Sequence, residues 1–190
     1  MNWRRWSGTG VLALALVYGG FLVGRVVVHQ SQDPSGRMLA QGHAAVTVGL
    51  SPGDVAPNFM LISTSGQTVS LRSLKGHPVW INFWTTWCRY CNQEVPEIVE
   101  IKKQYGSALD VYGIDEQQAK ATVVDYMAAK HVNYPVLLDT SGVVAGSYGV
   151  EYYPTSVFIG PGGHIAGVYP GAILSRAVIY PFLKAIMPVH

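Results

Sequence analysis

Cysteine is nearly absent from this chain of 190 residues: Cys88 and Cys91 are the only two, and both fall in a single C-x-x-C pair. A structural zinc site takes four ligands, and neither a second cysteine pair nor an H-x3–5-H run is there to complete one. The six histidines (29, 43, 77, 131, 164 and 190) are scattered singly, so no metal centre is expected. Charge is scarce as well. Charged residues make up 13% of the chain, the net charge is +2, and there is neither a basic stripe nor an acidic tail. Nucleic acid is therefore not an expected partner. No internal repeat is visible, and the length leaves room for one domain with an appendage but not for two large domains.

What the chain has in excess is apolar surface at its N-terminus. Mean hydropathy is +0.22, high for a soluble chain, and residues 8–24 carry no charge before Arg25 interrupts ahead of Val26, Val27 and Val28. The run is close to the lower limit for a membrane-spanning helix, about 17 residues, and Arg25 can snorkel to the far headgroups. Arg4 and Arg5 precede it, which places the N-terminus in the cytoplasm. No small-x-small cleavage site follows, and no cysteine is available there for a lipid. The expected organisation is a cytoplasmic stub and retained transmembrane anchor over residues 1–30, a Gln-, Gly- and Ser-rich tether over 31–52, and a folded extracytoplasmic domain over 53–190.

The cysteine pair lies where a strand hands over to a helix. Residues 79–84, Val-Trp-Ile-Asn-Phe-Trp, read as a buried strand, and helical spacing follows from 92 to 105. The first N–H groups of a helix lack partners and its dipole favours negative charge, so Cys88 is expected to ionise more easily than a free thiol. A dithiol in that place suits thiol–disulfide exchange. The alternative of an inert structural disulfide is weak, because closing so short a loop removes little unfolded-state entropy. Cys91, one turn further in, is expected to be the buried resolving thiol and to need a base. Glu94 shares its helix face by i,i+3 spacing and is the candidate; the bland alternative is a solvated glutamate like Glu97 or Glu100.

Further along, residues 60–63 and 68–71 read as a hairpin, 109–114 as a strand and 117–131 as a helix. Residues 136–138 read as a short strand and 143–148 as a short helix. Residues 155–159 and 164–169 form a second hairpin, and 173–186 a closing helix. Alternating strands and helices with a terminal hairpin imply a three-layer α/β/α domain around a mixed sheet.

At this point the chain resembles a family. Trp87-Cys88-Arg89-Tyr90-Cys91 at a strand-to-helix turn, Pro96 beyond it, and Tyr153-Pro154-Thr155 entering a late strand are similar to the thioredoxin fold. Gly53-Asp54-Val55-Ala56-Pro57-Asn58-Phe59, Leu74-Lys75-Gly76-His77-Pro78, Asn82-Phe83-Trp84, Tyr134 through Asp139 and Tyr148-Gly149-Val150 more narrowly resemble the membrane-anchored TlpA/ResA-like (DsbE-type) thiol–disulfide oxidoreductases. The resemblance covers residues 53–188. It implies an N-terminal hairpin and an inserted strand and helix near residues 111–131. Many relatives carry proline where this chain has Tyr90, and Arg89 adds positive charge beside Cys88.

The resemblance implies Cys88 as the exposed nucleophile, Cys91 as resolving thiol, a Cys88–Cys91 disulfide in the oxidised state, and Glu94 as acid/base. Ordinary thioredoxins instead carry a buried acid on the preceding strand, at the position of Asn82, which cannot titrate. Pro154 would be a cis-proline opposite the pair, with Trp87 and Tyr153 lining the substrate site. No cofactor or metal is implied. The implied substrates are protein disulfides such as the C-x-x-C-H motif of apocytochrome c, with electrons from a membrane thiol-transfer protein of the CcdA/DsbD type. A general disulfide oxidase or isomerase is the alternative within this class. A peroxiredoxin would share the Gly-Asp-x-Ala-Pro-x-Phe opening and the spacing of Thr85 from Cys88, but position 81 is Ile where that motif needs proline. A copper metallochaperone would use both cysteines with His131 or His164, although such proteins space their cysteines by three.

Overall fold

The computed structural model describes residues 47–187. The expected stub, anchor and most of the tether, residues 1–46, lie outside the described residues. No helix among the described residues is long and apolar enough to cross a membrane.

The sheet has seven strands: β1 (Met60–Ser63), β2 (Thr68–Ser70), β3 (Val79–Trp84), β4 (Asp110–Glu116), β5 (Val136–Asp139), β6 (Thr155–Ile159) and β7 (Ile165–Pro170). Their spatial order is β2-β1-β5-β4-β3-β6-β7. β3, β4 and β5 run parallel, while β1, β2, β6 and β7 join by antiparallel pairing, so the sheet is mixed. Four helices cover it: α1 (Arg89–Tyr105), α2 (Lys120–Ala129), α3 (Val143–Ser147) and α4 (Arg176–Ile186).

The period-2 alternation of a strand divides β3 between two cores. Trp80 and Trp84 point into one core with Ile98 and Ile101 of α1, Val123 of α2, and Ile179, Leu183 and Ile186 of α4. Val79, Ile81 and Phe83 point the other way, toward Val144, Ala145 and Tyr148 around α3 and Leu71 of a short 3-10 turn. Every β3 residue is buried. Such a doubly covered parallel strand reads as a continuous apolar run, and its one polar residue, Asn82, faces the α1 side. Among the described residues three layers result, with α1, α2 and α4 on one face and α3 and the turn on the other.

Several bounds differ from the sequence reading, each for a physical reason. The folded unit begins before Gly53: the N–H of Val55 donates to Thr47 O at 2.8 Å, that of Gly49 to Val55 O at 3.1 Å, and that of Gly53 to Ile165 O at 2.8 Å. Residues 47–52 are thus stitched to the domain rather than part of a tether. β4 runs from Asp110 to Glu116 where the spacing predicts 109–114, and α2 from Lys120 to Ala129 where it predicts 117–131. Helix α4 begins at Arg176, not at 173. Ile173 continues the apolar spacing of that helix, but its N–H donates to a glutamate carboxylate instead of opening a helical turn.

Candidate active site

Helix α1 brings the functional residues together because its buried stripe recurs at helical spacing: Cys91, Glu94, Val95, Ile98 and Ile101. Cys88 is the N-cap. Its extended backbone (φ −74, ψ 114) turns Sγ onto the first helical turn, where it accepts the N–H of Cys91 at 3.1 Å. That donor is one of the unpaired amides at a helix start, which together with the macrodipole favours a thiolate on Cys88. Cys88 and Cys91 are joined as a disulfide, with Cα atoms 5.3 Å apart.

Cys88 was expected to be exposed; it is only 6% exposed, against 0% for Cys91. What projects from the site is aromatic. Trp87 is 70% exposed and Tyr90 60%, and Trp87 meets Tyr153 edge-on at 6.1 Å between ring centroids. The Tyr153–Pro154 peptide bond is cis, and Pro154 is buried at the entrance to β6. The carbonyl of Pro154 accepts the Gly171 N–H at 2.8 Å, which ties the loop after β7 to this turn.

Glu94 is fully buried, unlike a solvated helix glutamate. Asn82 Nδ2 donates to its Oε1 at 2.7 Å, and the Ile173 N–H donates to its Oε2 at 3.0 Å. Burial raises its pKa from 4.5 to about 7, against these two hydrogen bonds, which favour the anion. The group therefore sits where it can hold or release a proton near neutrality. Behind it the network continues: Ser156 Oγ accepts from Asn82 Nδ2 at 3.2 Å and from Trp80 Nε1 at 2.9 Å. Asn82 cannot titrate, yet it is the side chain that orients the one that can.

Sequence reasoning passed over three further features. Thr86 is held on all its polar atoms by Gln118 and Asn92, and Asn92 Nδ2 also donates to Cys88 O at 2.8 Å. Asp115, on β4 in register with Trp84, is buried with neither carboxylate oxygen hydrogen-bonded among the described residues. Burial first, then the Glu116 charge, pushes its pKa up to about 7. Tyr126 lies 4.7 Å from the Trp84 ring, and burial, then the charge of Glu94, pushes its pKa up to about 12. None of these carries a motif; only their positions in the fold mark them.

Among the described residues no group of three or more His, Cys, Asp or Glu side chains is placed to hold a metal ion. His164 Nδ1 is engaged with Gly53 O at 3.0 Å. Thr85 is buried, and its hydroxyl has no hydrogen-bond partner among the described residues.

The profile of the AhpC/TSA family matches residues 52–168. The chain is 34% identical over 140 residues to the thiol-disulfide oxidoreductase ResA of Bacillus subtilis, covering 73% of this chain and 78% of that one. It is 32% identical over 149 residues to the thioredoxin-like protein YneN of the same organism, covering 75% and 85%. Among solved structures, a secreted disulfide oxidoreductase of Mycobacterium tuberculosis homologous to Escherichia coli DsbE is similar with a TM-score of 0.60 at 26% identity, covering 67% of this chain and 95% of that one.

Proposed function

Because the chain belongs to the AhpC/TSA family and, within the thioredoxin superfamily, to the ResA/TlpA/DsbE-like thiol–disulfide oxidoreductases, we propose that it is a membrane-tethered reductase of protein disulfides outside the cytoplasm. It is a thiol–disulfide oxidoreductase with one redox pair. The direction, the compartment and the substrate are the parts proposed.

In the reduced protein, Cys88 as a thiolate attacks one sulfur of a substrate disulfide; the Cys88–substrate bond forms, the substrate disulfide breaks, and the first substrate thiolate leaves. Cys91 then gives up its proton and attacks Cys88 Sγ. The Cys88–Cys91 disulfide forms, the mixed disulfide breaks, and the second substrate thiolate leaves. Two electrons pass to the substrate, and two from a membrane thiol donor of the CcdA/DsbD type restore the dithiol. Glu94, on the helix face of Cys91, takes up the proton released when Cys91 attacks and returns it to a substrate thiolate. The exposed Trp87 and Tyr153 form an apolar rim for an extended peptide, which pairs with the backbone at Tyr153 beside Pro154. The observation that carries this reading is a cysteine capping α1 while a fully buried glutamate three residues past its partner holds a pKa near neutrality.

The proposed substrate is the C-x-x-C-H disulfide of apocytochrome c, and the proposed tether is the apolar run before Arg25. Deleting the gene should lower holo-cytochrome c, and adding a small-molecule thiol should restore it. A phosphatase fused after residue 50 should be active. Normal cytochromes alongside secreted proteins lacking disulfides would instead support a general oxidase or isomerase. What favours that second reading is Cys88 at the α1 N-terminus beside the exposed Arg89, which stabilises the thiolate and so the dithiol form.

A further inference from the structure

The chemistry above gives no task to the segment between β4 and α2. The loop joining β4 to α2 nevertheless reaches the turn that carries Cys88. Gln118 Oε1 accepts the Thr86 N–H at 2.7 Å, and Gln118 Nε2 donates to Thr86 Oγ1 at 2.8 Å. A backbone N–H can only donate, so it must face the amide oxygen, and the amide's NH2 is then the end left for the hydroxyl. From the opposite side, Asn92 Nδ2 of α1 donates to Thr86 O at 3.1 Å and to Cys88 O at 2.8 Å. The loop is itself bent to deliver this side chain: Gln117 adopts a left-handed φ of 56, and its N–H is anchored on Asp139 O at 3.0 Å. Such a conformation is uncommon for a residue other than glycine and persists where its surroundings hold it.

We propose that Gln118 is a positioning residue for the attacking thiol: by clamping Thr86 it holds the Thr86–Cys88 turn so that Cys88 Sγ stays on the Cys91 amide, in the first turn of α1, in the reduced protein. Thr86 is two residues from Cys88, and its N–H, carbonyl and hydroxyl are all taken by side chains of other elements. The turn is thereby fixed from the sheet side and the helix side at once. Without the clamp the segment gains backbone freedom, Sγ spends less time against the Cys91 N–H, and the thiolate loses stabilisation. The β4–α2 loop then serves to tune the reactivity of the cysteine pair. The proposal rests on Cys88 being the attacking thiol.

The test is alkylation of the reduced full-length protein by iodoacetamide across pH, with the modified cysteine identified by peptide mass spectrometry. In Gln118→Leu, similar in size but unable to hydrogen-bond, the Cys88 rate at pH 6 should fall about three- to tenfold and converge on the parent rate near pH 9, where both thiols are ionised, since tenfold corresponds to about one pKa unit. Thr86→Val removes only the hydroxyl bond and should give a smaller shift of the same sign; Thr86→Ser keeps both bonds and should restore the parent profile. Adding Thr86→Val to Gln118→Leu should shift the profile no further. A profile unmoved in Gln118→Leu, with only a lowered melting temperature, would overturn the proposal and reduce Gln118 to a structural tie. If Gln118→Leu does not fold, an unmoved profile in Thr86→Val overturns it equally. Faster alkylation of Cys91 than of Cys88 in the parent protein would instead overturn the assignment of the attacking thiol, a separate failure.

Discussion

Replacing Glu94 by Gln should change the stability of the oxidised protein by an amount whose sign depends on pH. The carboxyl is fully buried, and its pKa is raised from 4.5 to about 7, chiefly by burial. The folded state therefore binds this proton more tightly than the unfolded state. Its contribution is fully present below the unfolded pKa and is lost as pH rises through about 7. A shift of that size corresponds to about 3 kcal/mol, at about 1.4 kcal/mol for each pKa unit. The glutamine cannot titrate, so it escapes this loss. It incurs another, because Asn82 Nδ2 and the Ile173 N–H both donate to Glu94, whereas a glutamine offers one acceptor oxygen. One buried donor is left unpaired, a cost of roughly 1–3 kcal/mol. At pH 4.5 the variant should be the less stable protein by roughly 1–3 kcal/mol; at pH 8 it should equal the parent or exceed it by up to about 2 kcal/mol. The disulfide-bonded cysteines do not titrate, and Asp115, whose pKa is also raised, is common to both proteins and cancels. Urea denaturation at the two pH values measures the difference. A stability difference that is the same at both would refute the assignment of the raised pKa to Glu94 and its role as a proton carrier.

Three other outcomes follow from the same geometry. Cys91→Ser should accumulate mixed disulfides on Cys88 that a non-reducing gel resolves, while Cys88→Ser should abolish exchange. Ser156→Ala removes the acceptor of Trp80 Nε1 and one acceptor of Asn82 Nδ2; it should destabilise the protein by roughly 1–3 kcal/mol, read from thermal melts. In single-turnover kinetics Glu94→Gln should slow the resolving attack by Cys91 more than the initial attack by Cys88, and flatten its pH dependence.

The parts of the fold legible in the sequence were those written in period and composition. The strand over 79–84 has the same bounds in the structure, because five apolar or aromatic residues interrupted by one Asn suit a strand buried on both faces. Helix α1 ends at Tyr105 as its spacing predicts. The beginning of α4 was misplaced because Ile173 fits the apolar spacing of that helix while its N–H serves Glu94, and only the folded chain brings these residues together. The folded unit begins earlier than the sequence reading has it because residues 47–52 lack a sustained period, yet their backbone groups pair with Asp54 and Val55. At the site, helical spacing was enough to put Glu94 on the buried stripe of α1 that also carries Cys91, and the family resemblance pointed to the cis Pro154. The side chains that orient them, Asn82, Ser156, Thr86, Gln118 and Asn92, are ordinary polar residues far apart in the chain. No local pattern distinguishes them from solvated ones. The exposure expected of Cys88 as nucleophile is not found: it is 6% exposed, and sequence carries no signal of which residues pack around a helix N-cap.

The reduction potential of the Cys88–Cys91 pair bears most directly on the central claim, that the protein is a reductase. Arg89, exposed beside Cys88, and the α1 N-terminus favour the thiolate and hence the dithiol, whereas an anionic Glu94 opposes them. Equilibration of the full chain with glutathione buffers at pH 7, read by the mass of trapped thiols, should give a potential closer to about −270 mV, that of thioredoxin, than to about −120 mV, that of DsbA. A value near the latter would contradict the reductase reading and make the protein an oxidant of thiols.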